Sequence, residues 1–238
     1  LATAKRGGVT VTRVEITREG LARPRGRYVT LEMPSVSVLD ERDTDVIETG
    51  AAELRALLPP EGPVLVLGIG NRRVTADALG PRTAQKILVT MGPQHTLPVR
   101  GIRPVAALAP GVSGDTGLTL RQLAAAMVDA VRPAALICVD SLCSAEAARL
   151  GRTIQFSDTG LHPADARHAR HLDAAALGVP VIAAGIPALM DADEGADLVL
   201  TPRALDSVIA HGSALLAGIL NRALQPRLSV AQLCWLTG

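Results

Sequence analysis

The sequence predicts an α/β fold of three layers, with a mostly parallel sheet, helices on both faces and a small antiparallel addition near the N-terminus. Two fully apolar runs carry this prediction, because each stops abruptly at a polar turn, as buried parallel strands do. One run, residues 64–67, ends at Gly68, and the other, residues 135–139, ends at Asp140. A helical pattern follows the first run. We expect one domain over residues 1–238, with residues 1–40 as a possible antiparallel subdomain.

The first half of the chain alternates between strand and helix patterns. Residues that alternate between apolar and polar predict strands, whereas apolar residues three or four apart predict helices. Pro59 and Pro60 close the first helix, and Pro81 is tolerable only in the first turn of the second. In order, we predict antiparallel strands at 9–17 and 27–33, a helix at 44–58, a strand at 63–68, a helix at 78–89 and a strand at 104–108.

The second half repeats this alternation with longer helices. A helix with one apolar stripe precedes the second buried strand, and a long Ala/Leu/Ile face marks the longest helix. The segment 158–177 is polar and holds three of the five histidines, so we expect a loop there. In order, we predict a helix at 119–131, strands at 135–140, 152–157 and 179–184, and helices at 202–224 and 229–236.

Composition excludes several classes of protein. The net charge is +1, so the whole chain has no general attraction to nucleic acid or to an anionic membrane. No uninterrupted apolar stretch reaches the roughly 18 to 20 residues of a membrane span. The three cysteines form no CxxC pattern and no signal peptide is evident, which is typical of a reducing compartment. We expect a cytoplasmic protein without nucleic-acid or membrane partners.

The two strand ends supply the candidate catalytic groups, Asp77 and Asp140. Ligands bind at the carboxyl ends of parallel strands, so two aspartates delivered there can form one site. Close carboxylates that share a proton can activate a water and protonate a leaving nitrogen, which is what peptide hydrolysis needs. Either aspartate could instead cap a helix, since Asp is favoured at that position, although Thr75 offers another cap beside Asp77.

The residues around Asp77 suggest further members of the site. Gly70 and Asn71 predict a tight turn that lets the backbone approach a substrate or the second aspartate. A dinucleotide fingerprint is disfavoured, because Arg73 stands at its third glycine position. His162 lies in a loop and could be a third polar group, a ligand that completes an Asp77, Asp140 and His162 metal site, or simply a surface histidine.

Ordered blocks along the chain resemble the germination protease family of spore endopeptidases. Residues 68–81 read GIGNRRVTADALGP, close to the family pattern G-L/I-G-N-x-x-V-T-P-D-A-L-G-P. Several blocks over nearly the whole chain make the resemblance specific, where no single block would. The further matches are VTRVEI at 11–16, PRGRY at 24–28, APGV at 109–112, TGLHP at 159–163 and LTPR at 200–203.

This resemblance implies an atypical aspartic endopeptidase, with Asp77 and Asp140 as its essential residues and no cofactor. The substrates implied are small acid-soluble spore proteins, degraded during germination in the cytoplasm of the spore core. The family is made as an inactive precursor, assembles as a tetramer, and has a fold similar to that of hydrogenase maturation proteases. Gly70, Asn71, Thr75 and His162 are then candidates for the substrate site.

Three departures from the family pattern bear on function. Ala76 replaces the usual proline, and residues 164–168 replace a glycine-rich stretch. The sequence starts at Leu1, without the stretch that holds the family's processing site, so we interpret it as a fragment, a cut form or a short member. Two rival functions remain open. One is a metal-dependent peptidase of the hydrogenase-maturation type, and the other is a catalytically silent homologue that only binds spore proteins.

Overall fold

The structure, a computed structural model, describes residues 1–21, 23–92, 101–161, 171–192 and 198–237. These residues form a nine-stranded sheet with helices on both faces, so the predicted three-layer α/β fold is confirmed. The strands are β1 (Ala2–Arg6), β2 (Val9–Ile16), β3 (Gly26–Glu32), β4 (Val64–Gly68), β5 (Val105–Leu108), β6 (Ala135–Cys143), β7 (Thr153–Ser157), β8 (Val181–Asp191) and β9 (Val199–Leu200). The helices are α1 (Thr44–Leu57), α2 (Leu79–Ala84), α3 (Ser113–Thr116), α4 (Leu120–Val131), α5 (Ala174–Leu177), α6 (Leu205–Leu224) and α7 (Val230–Thr237).

The sheet has a parallel half and an antiparallel half. Its strand order is β1-β2-β3-β7-β8-β6-β4-β5, and β9 pairs with the end of β8. The strands β5, β4, β6 and β8 run parallel, whereas β7, β3, β2 and β1 pair antiparallel to their neighbours. The antiparallel strands near the N-terminus therefore continue the main sheet, because β7 joins β3 to β8.

Alternate residues of the buried strands feed two separate cores. Val64 and Val66 point to a core shared with α1 and α6, and we call this side of the sheet the α6 face. Leu65 and Leu67 point to a smaller core shared with α4, and we call that side the α4 face. Strands buried on both faces explain the continuous apolar runs of the sequence.

The central helix α6 supplies most of the larger core. Among the described residues, it is the one helix long and apolar enough to cross a membrane by length and hydropathy. The structure buries 72% of its most apolar window, as expected for a core helix. The sequence predicted this helix but no membrane span, because its apolar residues do not form an uninterrupted run.

Helix α2 is shorter than predicted, because a side chain of α6 takes over the backbone bonds beyond its end. Asn221 accepts a hydrogen bond from the Leu88 amide at 2.9 Å and donates one to the Lys86 carbonyl at 2.9 Å. These bonds hold residues 86–88 outside a regular helix, where the apolar periodicity of residues 78–89 had predicted its continuation. Pro81 lies inside the first turn, as predicted.

The start of α2 lies directly on the backbone of β4 and β6. A β-carbon on Gly80 would overlap the carbonyl oxygens of Ile69 and Val139 and the amide nitrogen of Ile69. In the same contact, a β-carbon on Gly68 would overlap the Gly80 carbonyl. Only glycines permit this approach, which brings the segment before α2 onto the carboxyl edge of the sheet.

We predict that Gly80→Ala destabilises the protein by about 3 kcal/mol or more, because backbone atoms rather than flexible side chains oppose the new methyl group. Gly114→Ala is the matched control, since a β-carbon on Gly114 would meet nothing within 4 Å. Urea unfolding followed by circular dichroism measures both variants. Equal stability of the two would contradict the close packing of α2 on the sheet.

Candidate functional site

The structure places Asp77 and Asp140 at the carboxyl edge of adjacent strands. Gly68 of β4 pairs with Val139 of β6, and the Ile69 amide extends the pairing with a 2.8 Å bond to the Val139 carbonyl. Asp140 follows at once. Asp77 ends a 3-10 turn, Thr75–Asp77, that contacts β6 just before α2 begins. Both carboxylates therefore belong to one edge of the parallel half of the sheet.

The loop between β4 and α2 closes on Asp77. The Asn71 amide donates a 2.7 Å hydrogen bond to Oδ2 of Asp77, and the Arg73 amide donates one of 2.9 Å to Oδ1 of Asn71. Gly70 has a φ of +122°, and a β-carbon there would overlap the Asp77 carbonyl oxygen and lie 2.9 Å from Oδ1. The predicted turn at Gly70 and Asn71 thus accommodates Asp77 itself.

The helix-cap alternatives for both aspartates are wrong. Helix α2 has Ala78 at its N-cap position, with no side-chain cap hydrogen bond, because Asp77 accepts from the Asn71 amide instead. Asp140 lies inside β6, which continues to Cys143, so no helix follows for it to cap. Thr75 also leaves α2 uncapped, and only its carbonyl takes part, accepting from the Ala78 amide at 3.1 Å.

The side chain of Asp140 lies on the α4 face of the sheet, since it alternates with Val139, which belongs to the α6-face core. Cys138, two residues earlier, is fully buried on that same face. Burial raises the pKa of the Cys138 thiol, and the negative charge of Asp140 raises it further. A thiol in this environment stays protonated at neutral pH, so Cys138 is not a nucleophile.

One candidate residue lies outside the described residues. It is His162, which follows Leu161 in the chain. Within the described parts of the chain, no group of three or more His, Cys, Asp or Glu residues could hold a metal ion. The alternative set of Asp77, Asp140 and His162 therefore remains a prediction from sequence.

The sequence reading missed Ser141, which directly follows Asp140. Its hydroxyl oxygen is buried and has no hydrogen-bond partner among the residues that the structure describes. The side chain points to the α6 face, opposite to Asp140, because successive residues of a strand alternate between the two faces. A serine at the end of an apolar strand was the available signal, but the sequence could not show that its hydroxyl is unpaired.

Comparisons with known proteins agree on one family. A family model described as germination protease, Peptidase_A25, matches residues 1–196. The germination protease of Clostridium perfringens strain SM101 is 32% identical over 278 residues, which cover 92% of this chain and 86% of that protein. That of Bacillus velezensis is 37% identical over 222 residues, covering 87% of this chain and 58% of that protein.

Two further matches complete the comparison. The germination protease of Caldanaerobacter subterraneus subsp. tengcongensis is 40% identical over 200 residues, which cover 78% of this chain and 61% of that protein. Among solved structures, a NiFe hydrogenase maturation protease from Thermococcus kodakarensis is similar with a TM-score of 0.41 and 16% identity. The similarity covers 71% of this chain and 98% of that one.

We predict that Ser141→Ala raises the free energy of unfolding by about 1 kcal/mol, because it removes a buried hydroxyl that makes no hydrogen bond. Ser144→Ala is the control three residues along. The Ser144 hydroxyl donates to the Glu146 carbonyl at 3.0 Å and accepts from the Glu146 amide at 3.1 Å, so its loss should destabilise. Chemical denaturation measures both, and a loss of stability in Ser141→Ala would show that the hydroxyl has a partner.

Proposed function

Because this chain belongs to the germination protease family and is thus a peptidase, we propose that it initiates the degradation of small acid-soluble spore proteins during germination. The observation that carries this proposal is that Asp140 lies in β6 and Asp77 in the 3-10 turn that contacts β6, both at one edge of the sheet. A protein substrate reaches that edge from solvent, since both aspartates are partly exposed.

In the proposed reaction, the two carboxylates hold one proton between them. The ionised carboxylate takes a proton from a bound water as that water attacks the peptide carbonyl, and the protonated one then gives its proton to the leaving nitrogen. The bond from the Asn71 amide fixes the Asp77 carboxylate before substrate binds. A group held in this way loses little freedom in the transition state, which favours the reaction.

The family supports the finer parts of the proposal. We propose that its substrates lie in the spore core, a cytoplasmic compartment. The net charge of +1 gives the protein no general attraction to nucleic acid. We further propose a homotetramer and an inactive precursor, as in the family. This chain spans between 58% and 86% of the length of the relatives above.

We predict that Asp77→Asn and Asp140→Asn each lower kcat for cleavage of a small acid-soluble spore protein by about a hundredfold or more, because an amide is neither a base nor a proton source. The folds should be retained. Asp115→Asn is the matched control, since Asp115 is half-exposed and pairs with Arg73 only at 3.5 Å. Near wild-type rates for Asp140→Asn, with an unchanged circular dichroism spectrum, would exclude its catalytic role.

A metal-dependent peptidase is the second candidate, and one observation favours it. Leu161, to which His162 is bonded, is buried in the α4-face core together with Ile69 and Cys138. The side chain of Asp140 points to that same face. Asp, Asp and His are oxygen and nitrogen ligands of a kind that zinc accepts.

Chelation separates the two mechanisms. For two carboxylates acting alone, we predict that excess EDTA leaves the rate unchanged, that added zinc does not raise it, and that His162→Ala has a small effect. A metal-bound water would instead make EDTA and His162→Ala remove most activity. Loss of activity with EDTA that one divalent metal restores would overturn the dyad. Purified protein that never cleaves spore proteins, but binds them, would support the silent homologue.

A further inference from the structure

The antiparallel half of the sheet has two different faces. Its α6 face is buried under α1, and Arg13 of β2 makes a close ion pair with Glu53 of that helix. On its α4 face, β2 and β3 carry half-exposed side chains, and α4 packs over β4 and β6 rather than over these strands. In the described part of the chain, no helix of the α4-face core reaches β2 or β3, so this face resembles the open side of an antiparallel sheet.

A row of residues crosses this open face from the proposed catalytic centre. The register of the sheet sets Asp140 beside Gly185 of β8, Gly185 beside Gln155 of β7, Gln155 beside Thr30 of β3, and Thr30 beside Thr12 of β2. Directly paired residues point to the same face. Asp140 is thus the first member of a line of side chains that runs across five strands, and we call it the Asp140 row.

The members of the row beyond Gly185 offer uncharged hydrogen-bonding groups. The hydroxyls of Thr12 and Thr30 make no hydrogen bond to any described residue. The amide of Gln155 makes one weak bond, 3.4 Å from its Nε2 to the hydroxyl of Thr153. All three side chains are only partly buried. Such groups can pair with the alternating donors and acceptors of a peptide backbone without requiring a particular charge.

Gly185 separates Asp140 from these polar groups. Because it has no side chain, the apolar side chain of Leu142 can pack over it. A β-carbon on Gly185 would overlap the carbonyl oxygen of Asp140 and lie 2.7 Å from Cγ of Leu142, so the Leu142 side chain lies over this glycine. Leu142 itself is half-exposed. The surface next to Asp140 is therefore a small apolar contact, followed by hydrogen-bonding groups, which is the usual make-up of a peptide-binding subsite.

We propose that an extended segment of the polypeptide substrate lies along the Asp140 row, bound by Gln155 and Thr30, with its scissile bond at Asp140. This inference rests on the proposed endopeptidase function. Threonines also occur on strand faces that meet only water. We assign this row to substrate binding because it begins at Asp140. Strands are about 4.8 Å apart, so the row spans about 19 Å, the length of roughly six extended residues.

The experiment uses a small acid-soluble spore protein and synthetic peptides that span its cleavage site, lengthened one residue at a time on either side. For wild-type protein, kcat/KM should rise as one side grows to roughly six residues and then level off. Gln155→Met and Thr30→Val keep the shape of each side chain but remove its hydrogen bonds. Each should raise KM for long substrates about five- to tenfold, with kcat nearly unchanged and short peptides unaffected.

Thr44→Val is the matched control, since Thr44 lies on α1, which covers the opposite face of the sheet. Wild-type kinetics of Gln155→Met and Thr30→Val on long substrates would overturn the row as a binding surface. Equal losses on long and short peptides would also overturn it, because the residues would then act on the fold or on the catalytic centre. If the wild-type protein cleaves nothing, the proposed endopeptidase function fails first.

Discussion

The contact of Gly68 with Gly80 fixes the geometry of the site. Where most helices of an α/β fold rest on side chains, α2 begins on the bare backbone of β4 and β6. The chain can therefore leave β4, turn at Gly70 and return to the same edge within a few residues. The carboxylate of Asp77 is then near enough to accept a hydrogen bond from the Asn71 amide. Side chains larger than hydrogen at either glycine would push Asp77 away from β6.

The two halves of the sheet have different roles in the proposed reaction. The parallel half ends at one edge, as βα units require, and supplies both aspartates there. The antiparallel half presents a long, partly exposed face with uncharged polar side chains. Strand β7 joins the two halves, because it pairs with both β8 and β3. Through this strand, a reactive edge and an extended surface become continuous.

The elements that the sequence predicted are those whose buried residues form a clear apolar pattern. The continuous runs at 64–67 and 135–139 and the long apolar face of α6 became the central strands and the core helix. Strand β1 escaped prediction because all its residues are exposed and show no alternation, and its existence depends on pairing with β2. The ends of β6 and β8 extend beyond their apolar runs because these two strands pair with each other, and the end of β8 also pairs with β9.

The sequence indicated candidate residues for the site but not the contacts between them. Strand ends pointed to Asp77 and Asp140, yet their alternative role as helix caps could be excluded only once Asp77 was seen to accept from Asn71. Gly70 was expected to let the backbone approach a substrate or the second aspartate, and the structure shows that it makes room for Asp77. The Ser141 hydroxyl is without a partner among the described residues because of how the layers pack, and that packing cannot be predicted from a single sequence.

The buried thiol beneath Asp140 has a consequence for inhibitors. Alkylating reagents and other thiol-directed inactivators need an accessible thiolate, and Cys138 offers neither the access nor the ionised form. Thiol-directed inhibitors of cysteine peptidases can therefore modify this protein only at Cys143 or Cys234, which are at least partly exposed. Neither cysteine is one of the candidate catalytic residues. For the proposed mechanism, a useful active-site inhibitor would imitate the tetrahedral carbon formed by water attack, with a hydroxyl placed between the carboxylates of Asp77 and Asp140.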